Sequence, residues 1–137
     1  MRKIFLFLAF IFSTSNAWAT ADKCITLIDD VQYDADATTN GSSFKLPSNV
    51  NQAIFVYQVT HNGTGTLDVA LEHSFDDTTF LDIISSPFTQ ATSADVTETL
   101  SLNPYSYPMM QYIRPVVTVA SSGDYNLTLT VCYGYER

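Results

Sequence analysis

Apolar and polar residues alternate along short segments of this chain, and this two-residue period limits the folds open to it. In residues 67–72, Leu67, Val69 and Leu71 form one set of alternate positions, while polar residues and an alanine form the other. Residues 125–133 repeat the pattern. Since side chains of a strand point alternately to its two faces, both segments are predicted to be strands with one buried face. No segment keeps the 3.6-residue period of an amphipathic helix for three turns.

Turn-forming sequences at residues 61–65, 75–78 and 121–124 separate these segments. Seven or eight short strands predict an all-β fold, a single antiparallel β-sandwich of the jelly-roll or Ig-like type. The candidate strands are 24–28, 43–46, 52–60, 67–71, 79–84, 96–102, 112–119 and 125–131.

Three further expectations concern individual segments of the predicted sandwich. The polar residues 29–43 are expected to contain no strand before position 43. Residues 52–60, rich in β-branched and aromatic side chains, are expected to be buried on both faces. Pro115 cannot donate a backbone hydrogen bond, so its strand is expected at a sheet edge or with a bulge.

Charge excludes several classes of partner. The 137 residues include 14 acidic and 6 basic ones, for a formal net charge of −8 at pH 7. Nucleic acid is excluded because phosphate contacts need clustered Lys and Arg, and anionic membrane surfaces are disfavoured. Hydrophobic residues make up 46 % of the chain, which favours a packed core over a disordered acidic tail.

The N-terminus resembles a secretory signal peptide, and its processing sets the predicted domain boundary. Arg2 and Lys3 precede an apolar run, and Ala17-Trp18-Ala19 fits an A-x-A cleavage site. The apolar run is shorter than the roughly 20 residues that a membrane-spanning helix needs. We therefore expect residues 1–19 to be removed, leaving 20–137 as one β-sandwich domain without membrane insertion. The mature protein is expected to be extracellular or periplasmic.

Export makes the cysteines informative. Cys24 lies close to the expected mature N-terminus, and Cys132 lies near the C-terminus. An even cysteine count in an oxidising compartment predicts a disulfide between them. The first and last strands of the sandwich would then be neighbours.

Sequence motifs for catalysis are missing. The serines include none in a G-x-S-x-G nucleophile elbow, and nothing in the sequence brings His61 and His73 together. Adjacent carboxylates such as Asp76 and Asp77 would point to opposite faces of a strand, a poor geometry for acid–base work. We expect a protein that is not an enzyme.

A cofactor is not expected either. The oxygen ligands available for calcium are the carboxylates of Asp29, Asp30, Asp34 and Asp36. These residues lack the D-x-[DN]-x-[DN]-G spacing of a calcium loop. A solvated loop is therefore the preferred interpretation of this segment.

One segment departs from an ordinary surface composition. Residues 103–112 carry three tyrosines and two methionines between prolines. Exposed Tyr and Met are typical of interfaces, and tyrosine rings also stack on sugars. Either these side chains fold back as a lid over one end of the sandwich, or they form a contact surface. The predicted binding residues are Tyr105, Tyr107, Met109, Met110 and Tyr112.

Residues 67–83 resemble small jelly-roll proteins of tailed phages, in which a strand, a Ser-x-Asp-Gly-Thr turn and a second strand follow one another. Asp77 stands where that family usually has glycine. Residues 112–115, Tyr-Ile-Arg-Pro, are similar to the family's later Tyr-x-Arg strand, and the likeness covers 51–131. The resemblance implies a protein that decorates capsids or tail parts.

Two other protein classes share parts of this pattern. Discoidin-like carbohydrate-binding sandwiches have a similar turn and strand, which implies a glycan-binding module as the alternative function. The final segment 123–131 also resembles the last strand of pilin-like filament subunits. The sequence thus predicts a secreted, non-catalytic structural or assembly subunit, with self-association or a protein partner.

Overall fold

The computed structural model describes residues 23–48, 50–61, 64–84, 88–92, 94–102, 110–121 and 124–135. These residues form nine β-strands and contain no helix. No helix long and apolar enough to cross a membrane therefore occurs in this part of the chain. In chain order the strands are β1 (Lys23–Tyr33), β2 (Ala37–Asn40), β3 (Phe44–Lys45), β4 (Val50–His61), β5 (Thr66–Ser74), β6 (Leu81–Ile84), β7 (Val96–Leu102), β8 (Tyr112–Ala120) and β9 (Tyr125–Tyr135).

The strands form two antiparallel sheets, which confirms the predicted β-sandwich. The four-stranded sheet has the order β1-β9-β4-β7. The five-stranded sheet has the order β2-β8-β5-β6, and the short β3 also pairs with β8. Only β5 and β6 are neighbours both in the chain and in a sheet. This alternation between the sheets is the jelly-roll arrangement and decides between the two sandwich types left open by the sequence.

The core lies between the sheets and contains the predicted alternating residues. Leu67, Val69 and Leu71 on β5 are buried, as are Leu127 and Leu129 on β9. The opposite faces of these strands are more exposed. Burial of apolar surface contributes about 25 cal/mol per Å². The apolar side chains on the inward faces of the strands are therefore the main source of stability.

The cysteine prediction is confirmed. Cys24 and Cys132 form a disulfide, with Cα atoms 4.0 Å apart. They lie directly opposite each other on β1 and β9, so the first and last strands are neighbours. The predicted signal peptide, residues 1–19, lies outside the described residues.

The polar segment 29–43 does not follow the sequence prediction. β1 continues through Asp29 and Asp30 to Tyr33 because β9 supplies its hydrogen-bond partners, and two register shifts take up the irregular residues. Asp30 has a φ of 48° within this bulged region. The polar residues of β2 become a strand by pairing with β8, so the expected seven or eight strands become nine.

Two expectations about neighbouring strands are also wrong. β4 buries only one face, with Phe55 and Tyr57 fully buried, because its other face has no layer of described residues over it. Pro115 lies on β8, which is not an edge strand. Its carbonyl oxygen accepts a hydrogen bond from Gly41, so its nitrogen faces the same side, at the gap between β2 and β3. Because β2 and β3 leave a gap opposite Pro115, the sheet does not need the backbone hydrogen bond that proline cannot donate.

Candidate functional site

The candidate functional site lies at the end of the five-stranded sheet where β5 ends and β8 begins. Ser74 pairs with Tyr112, and Lys45 of β3 also pairs with Tyr112. His73 pairs with Leu81, the first residue of β6. The turn between β5 and β6, residues 75–80, therefore lies beside the end of the predicted tyrosine-rich segment. We call these residues the Phe75 turn.

Asp76 holds the Phe75 turn in shape. Its Oδ1 accepts hydrogen bonds from the backbone amides of Thr78 and Thr79, at 3.0 and 2.8 Å. The hydroxyl of Ser74 donates to the same oxygen at 2.8 Å. These bonds stabilise the charged carboxylate and hold the pKa of Asp76 well below its usual value of 3.8.

The next residue of the turn has a left-handed backbone conformation. Asp77 has a φ of 60°. This left-handed conformation favours glycine, and Asp is among the residues that tolerate it.

The turn leaves apolar side chains in solvent. Phe75 is 74 % exposed and Leu81 is 54 % exposed, at the two ends of the turn. An apolar side chain on a preorganised turn loses little conformational entropy when it binds a partner. The geometry therefore suits protein contact, and neither residue was predicted from the sequence as a binding residue. The sequence signal for an exposed Phe75 was the pair Ser74 and Asp76 on either side of it. These two side chains bind each other and leave Phe75 outside the core.

Two cations lie against aromatic rings beside the turn. Arg114 pairs with Glu72, with Nη2 and Oε2 2.6 Å apart, and its Cζ lies 3.9 Å from the ring centre of Phe80. The ammonium of Lys45 lies 5.4 Å from the ring centre of Tyr112. Both contacts are at cation–π distance and hold the rings in place. Each cation covers one face of its ring.

His73 connects the site to the tyrosine-rich segment. Its side chain is 9 % exposed, and its Nδ1 accepts a hydrogen bond of 3.4 Å from the amide of Met110. This contact fixes the C-terminal end of the segment against β5. Of the five predicted binding residues, Met110 and Tyr112 reach this site. Tyr105, Tyr107 and Met109 lie outside the described residues.

The structure places the other candidate residues away from this site or from one another. His61 lies on β4 and His73 on β5, in different sheets. Asp29 and Asp30 lie on β1 at the edge of the four-stranded sheet. The described residues contain no group of three or more His, Cys, Asp or Glu side chains able to hold a metal ion.

Comparison with solved structures finds the same fold at low sequence identity. The VP2 subviral particle of infectious bursal disease virus matches with a TM-score of 0.55 and 16 % identity, over 82 % of this chain and 32 % of that chain. The T=1 particles derived from this virus match with a TM-score of 0.55 and 14 % identity, over 82 % and 31 %. Its Gx strain matches with a TM-score of 0.54 and 14 % identity, over 80 % and 32 %.

This chain spans about a third of the length of the matched chains, and at this identity the likeness shows the fold alone. No family model matches the sequence, and no curated protein matches it. The resemblances to tailed-phage proteins and to discoidin-like modules stay predictions. The chain has a jelly-roll fold of the kind found in these VP2 particles.

Proposed function

We propose that this protein is a secreted, non-catalytic structural subunit that self-associates through protein–protein contacts, one of them made by the Phe75 turn. The observation that carries the proposal is the 74 % exposure of Phe75 on a turn held by the Asp76 carboxylate. A preorganised aromatic side chain is a typical anchor of an interface. The fold shared with VP2 particles supports an assembly role, and the disulfide supports an oxidising compartment.

The surface of the site favours a protein partner over the alternative, a glycan. Phe80 and Tyr112 already have cations against their rings, and Phe75 and Leu81 add apolar area without hydrogen-bonding groups. Sugar stacking uses open ring faces, and one face of Phe80 and one face of Tyr112 are taken by a cation. Glycan binding is therefore an outcome of the test and not a second proposal.

The test is to measure the mass of the purified protein by light scattering and sedimentation over a wide concentration range. We expect concentration-dependent self-association, and Phe75→Ser should weaken it by roughly tenfold, as the loss of an interface anchor does. The matched control is Val31→Ser, because Val31 is also an exposed apolar residue, at 42 %, but lies on β1. This control should associate normally.

Two results would overturn the proposal. A wild-type protein that stays monomeric at every concentration and binds immobilised glycans would show a glycan-binding module. Association that is equally strong in wild type and Phe75→Ser would remove the Phe75 turn from the interface.

A further inference from the structure

On the outward face of the four-stranded sheet, strands β4, β7 and β9 carry no charged side chain among their described residues. Burial alternates along β4, β7 and β9, so the residues that point away from the core follow from the register. We call them the neutral face. They are Cys24, Thr26 and Gln32 on β1, Gln52, Ile54, Val56, Gln58 and Thr60 on β4, Thr97, Thr99 and Ser101 on β7, and Asn126, Thr128, Thr130 and Cys132 on β9.

This neutrality contrasts with the rest of the molecule. The whole chain has a net charge of −8, and the outward face of the five-stranded sheet carries Asp68, Glu72, Asp82 and Arg114. Asp29 and Asp30 lie at the border of the neutral face, in the bulge of the edge strand β1, where the amide of Asp30 donates to Thr128 Oγ1. Two acidic copies of the chain repel each other least when they meet through the neutral faces.

The centre of the neutral face is apolar. Ile54 and Val56 lie next to each other in the outward row of β4, and both are half-buried within a surface of hydroxyl and amide side chains. Hydroxyl and amide groups around them bind one another, as Gln52 does with Ser101 at 2.9 Å and Thr26 does with Thr130 at 3.5 Å. An apolar centre within an uncharged polar rim is the usual anatomy of an interface.

The sequence of β4 also has the composition of a strand covered on both faces. Its apolar residues occur at both odd and even positions, as in Ala53-Ile54-Phe55-Val56-Tyr57. Strands with this composition are normally covered on both sides. In this structure the core covers one face, and no described residue of the chain forms a layer over the other.

We propose that the neutral face binds the neutral face of a second copy of this chain. This inference rests on the proposed assembly function and gives it a second contact, because the Phe75 turn lies on the other sheet. Four strands about 4.8 Å apart and about 27 Å long give a projected area on the order of 500 Å². A standard stable complex buries about 800 Å² on each partner. The contact is therefore weak and concentration-dependent.

The experiment places a charge at the centre of each sheet face in turn. Val56→Lys puts an ammonium into the neutral face, and Val116→Lys puts one into the matching position of β8 on the five-stranded sheet. Both valines are half-buried on central strands. Lysine lowers the net negative charge, so general repulsion between copies decreases in both variants. Light scattering and sedimentation of the full chain measure the association, and circular dichroism measures folding.

Val56→Lys should raise the dissociation constant of this contact by roughly tenfold or more, because an unpaired charge is buried in the contact, while Val116→Lys should leave it unchanged. If Val56→Lys does not fold, Thr99→Lys on the exposed side of the edge strand β7 replaces it, with the same expected loss. If wild type and both lysine variants associate with the same dissociation constant, this inference is wrong and the proposed assembly function is unaffected. Wild-type protein that is monomeric throughout overturns both.

Discussion

The amide of Gly41 donates a hydrogen bond of 2.8 Å to the carbonyl oxygen of Pro115. The two residues lie so close that a methyl group on Gly41 would come within 2.6 Å of Cγ of the proline ring and 3.3 Å of its carbonyl oxygen. Gly41→Ala should therefore push the segment after β2 away from β8. We expect the free energy of unfolding to fall by about 1–3 kcal/mol, the usual cost of overpacking.

Chemical denaturation measures this change, with Ser42→Ala as the control. Ser42 is the exposed neighbour of Gly41, and exposed substitutions usually change stability by less than about 0.5 kcal/mol. Equal midpoints for Gly41→Ala and wild type would mean that the segment moves freely and that the contact with Pro115 does not hold β2 in place.

The contact between Gly41 and Pro115 depends on strand pairing, which the sequence alone does not predict. Strands β5 and β9 were predictable because their alternation is a local property of the chain. β2 was not, since all its residues are exposed and its strand conformation comes from pairing with β8. The edge or bulge position expected for Pro115 was wrong for the same reason. The sequence of β8 alone does not show that the neighbouring strand is interrupted opposite the proline.

The candidate site was predictable only in part. Tyr112 and Met110 were chosen by composition, and the structure brings them beside the Phe75 turn. Phe75 was assigned to a turn, but its exposure depends on how Ser74 and Asp76 bind each other. The neutral face depends on strand order, which places residues from four distant segments next to one another.

The hydroxyl of Tyr57 gives a second prediction about stability. Tyr57 is fully buried and stacked on Phe88, and its oxygen has no hydrogen-bond partner among the described residues. Burial and the nearby Asp68 raise the pKa of this phenol well above its usual value. Tyr57→Phe removes the unpaired oxygen and keeps the ring. We expect stability to be unchanged or to rise by about 1 kcal/mol.

Thermal and chemical unfolding of Tyr57→Phe measure the effect. Tyr57→Ala, which also removes the ring, should instead lose about 3–5 kcal/mol. A loss of more than about 1 kcal/mol in Tyr57→Phe would show that the hydroxyl is hydrogen-bonded in solution, by water or by another part of the chain.

The Phe75 turn should respond to acid through Asp76. Its pKa is lowered in the folded protein, first by the amide of Thr79 and then by Thr78 and Ser74. A lowered folded-state pKa stabilises the turn above the usual pKa of the carboxyl, and this stabilisation is lost as the pH falls from about 4 through the lower folded value. The protection factors of the Thr78 and Thr79 amides, which correct for the intrinsic pH dependence of exchange, should therefore fall over this range.

Asp76→Asn is the matched variant for the acid response, because it keeps an acceptor oxygen and removes the charge. Its exchange protection at the Thr78 and Thr79 amides should be lower at neutral pH and should not fall further over the acid range. If the Thr78 and Thr79 amides of wild type are equally protected at neutral pH and in the acid range, the role assigned to the Asp76 carboxylate is wrong.

The disulfide should contribute most to stability at the edge of the four-stranded sheet. Cys24 and Cys132 are 108 positions apart in sequence, so reduction frees a long loop in the unfolded chain. The chain-entropy model gives an upper value near 4–5 kcal/mol for such a loop, and a measured loss of about 2–4 kcal/mol is typical. We expect this loss in the double variant Cys24→Ser, Cys132→Ser.

The loss should appear first in β1, because this edge strand has register shifts on its ladder with β9 and none of the described strands pairs with its other side. Hydrogen exchange of the β1 amides tests this. The control is the neighbouring cross-strand pair Thr26 and Thr130, replaced together by alanine, which should cost less than about 1 kcal/mol. If the two double variants lose the same stability, the ladder and not the disulfide holds β1 to the sheet.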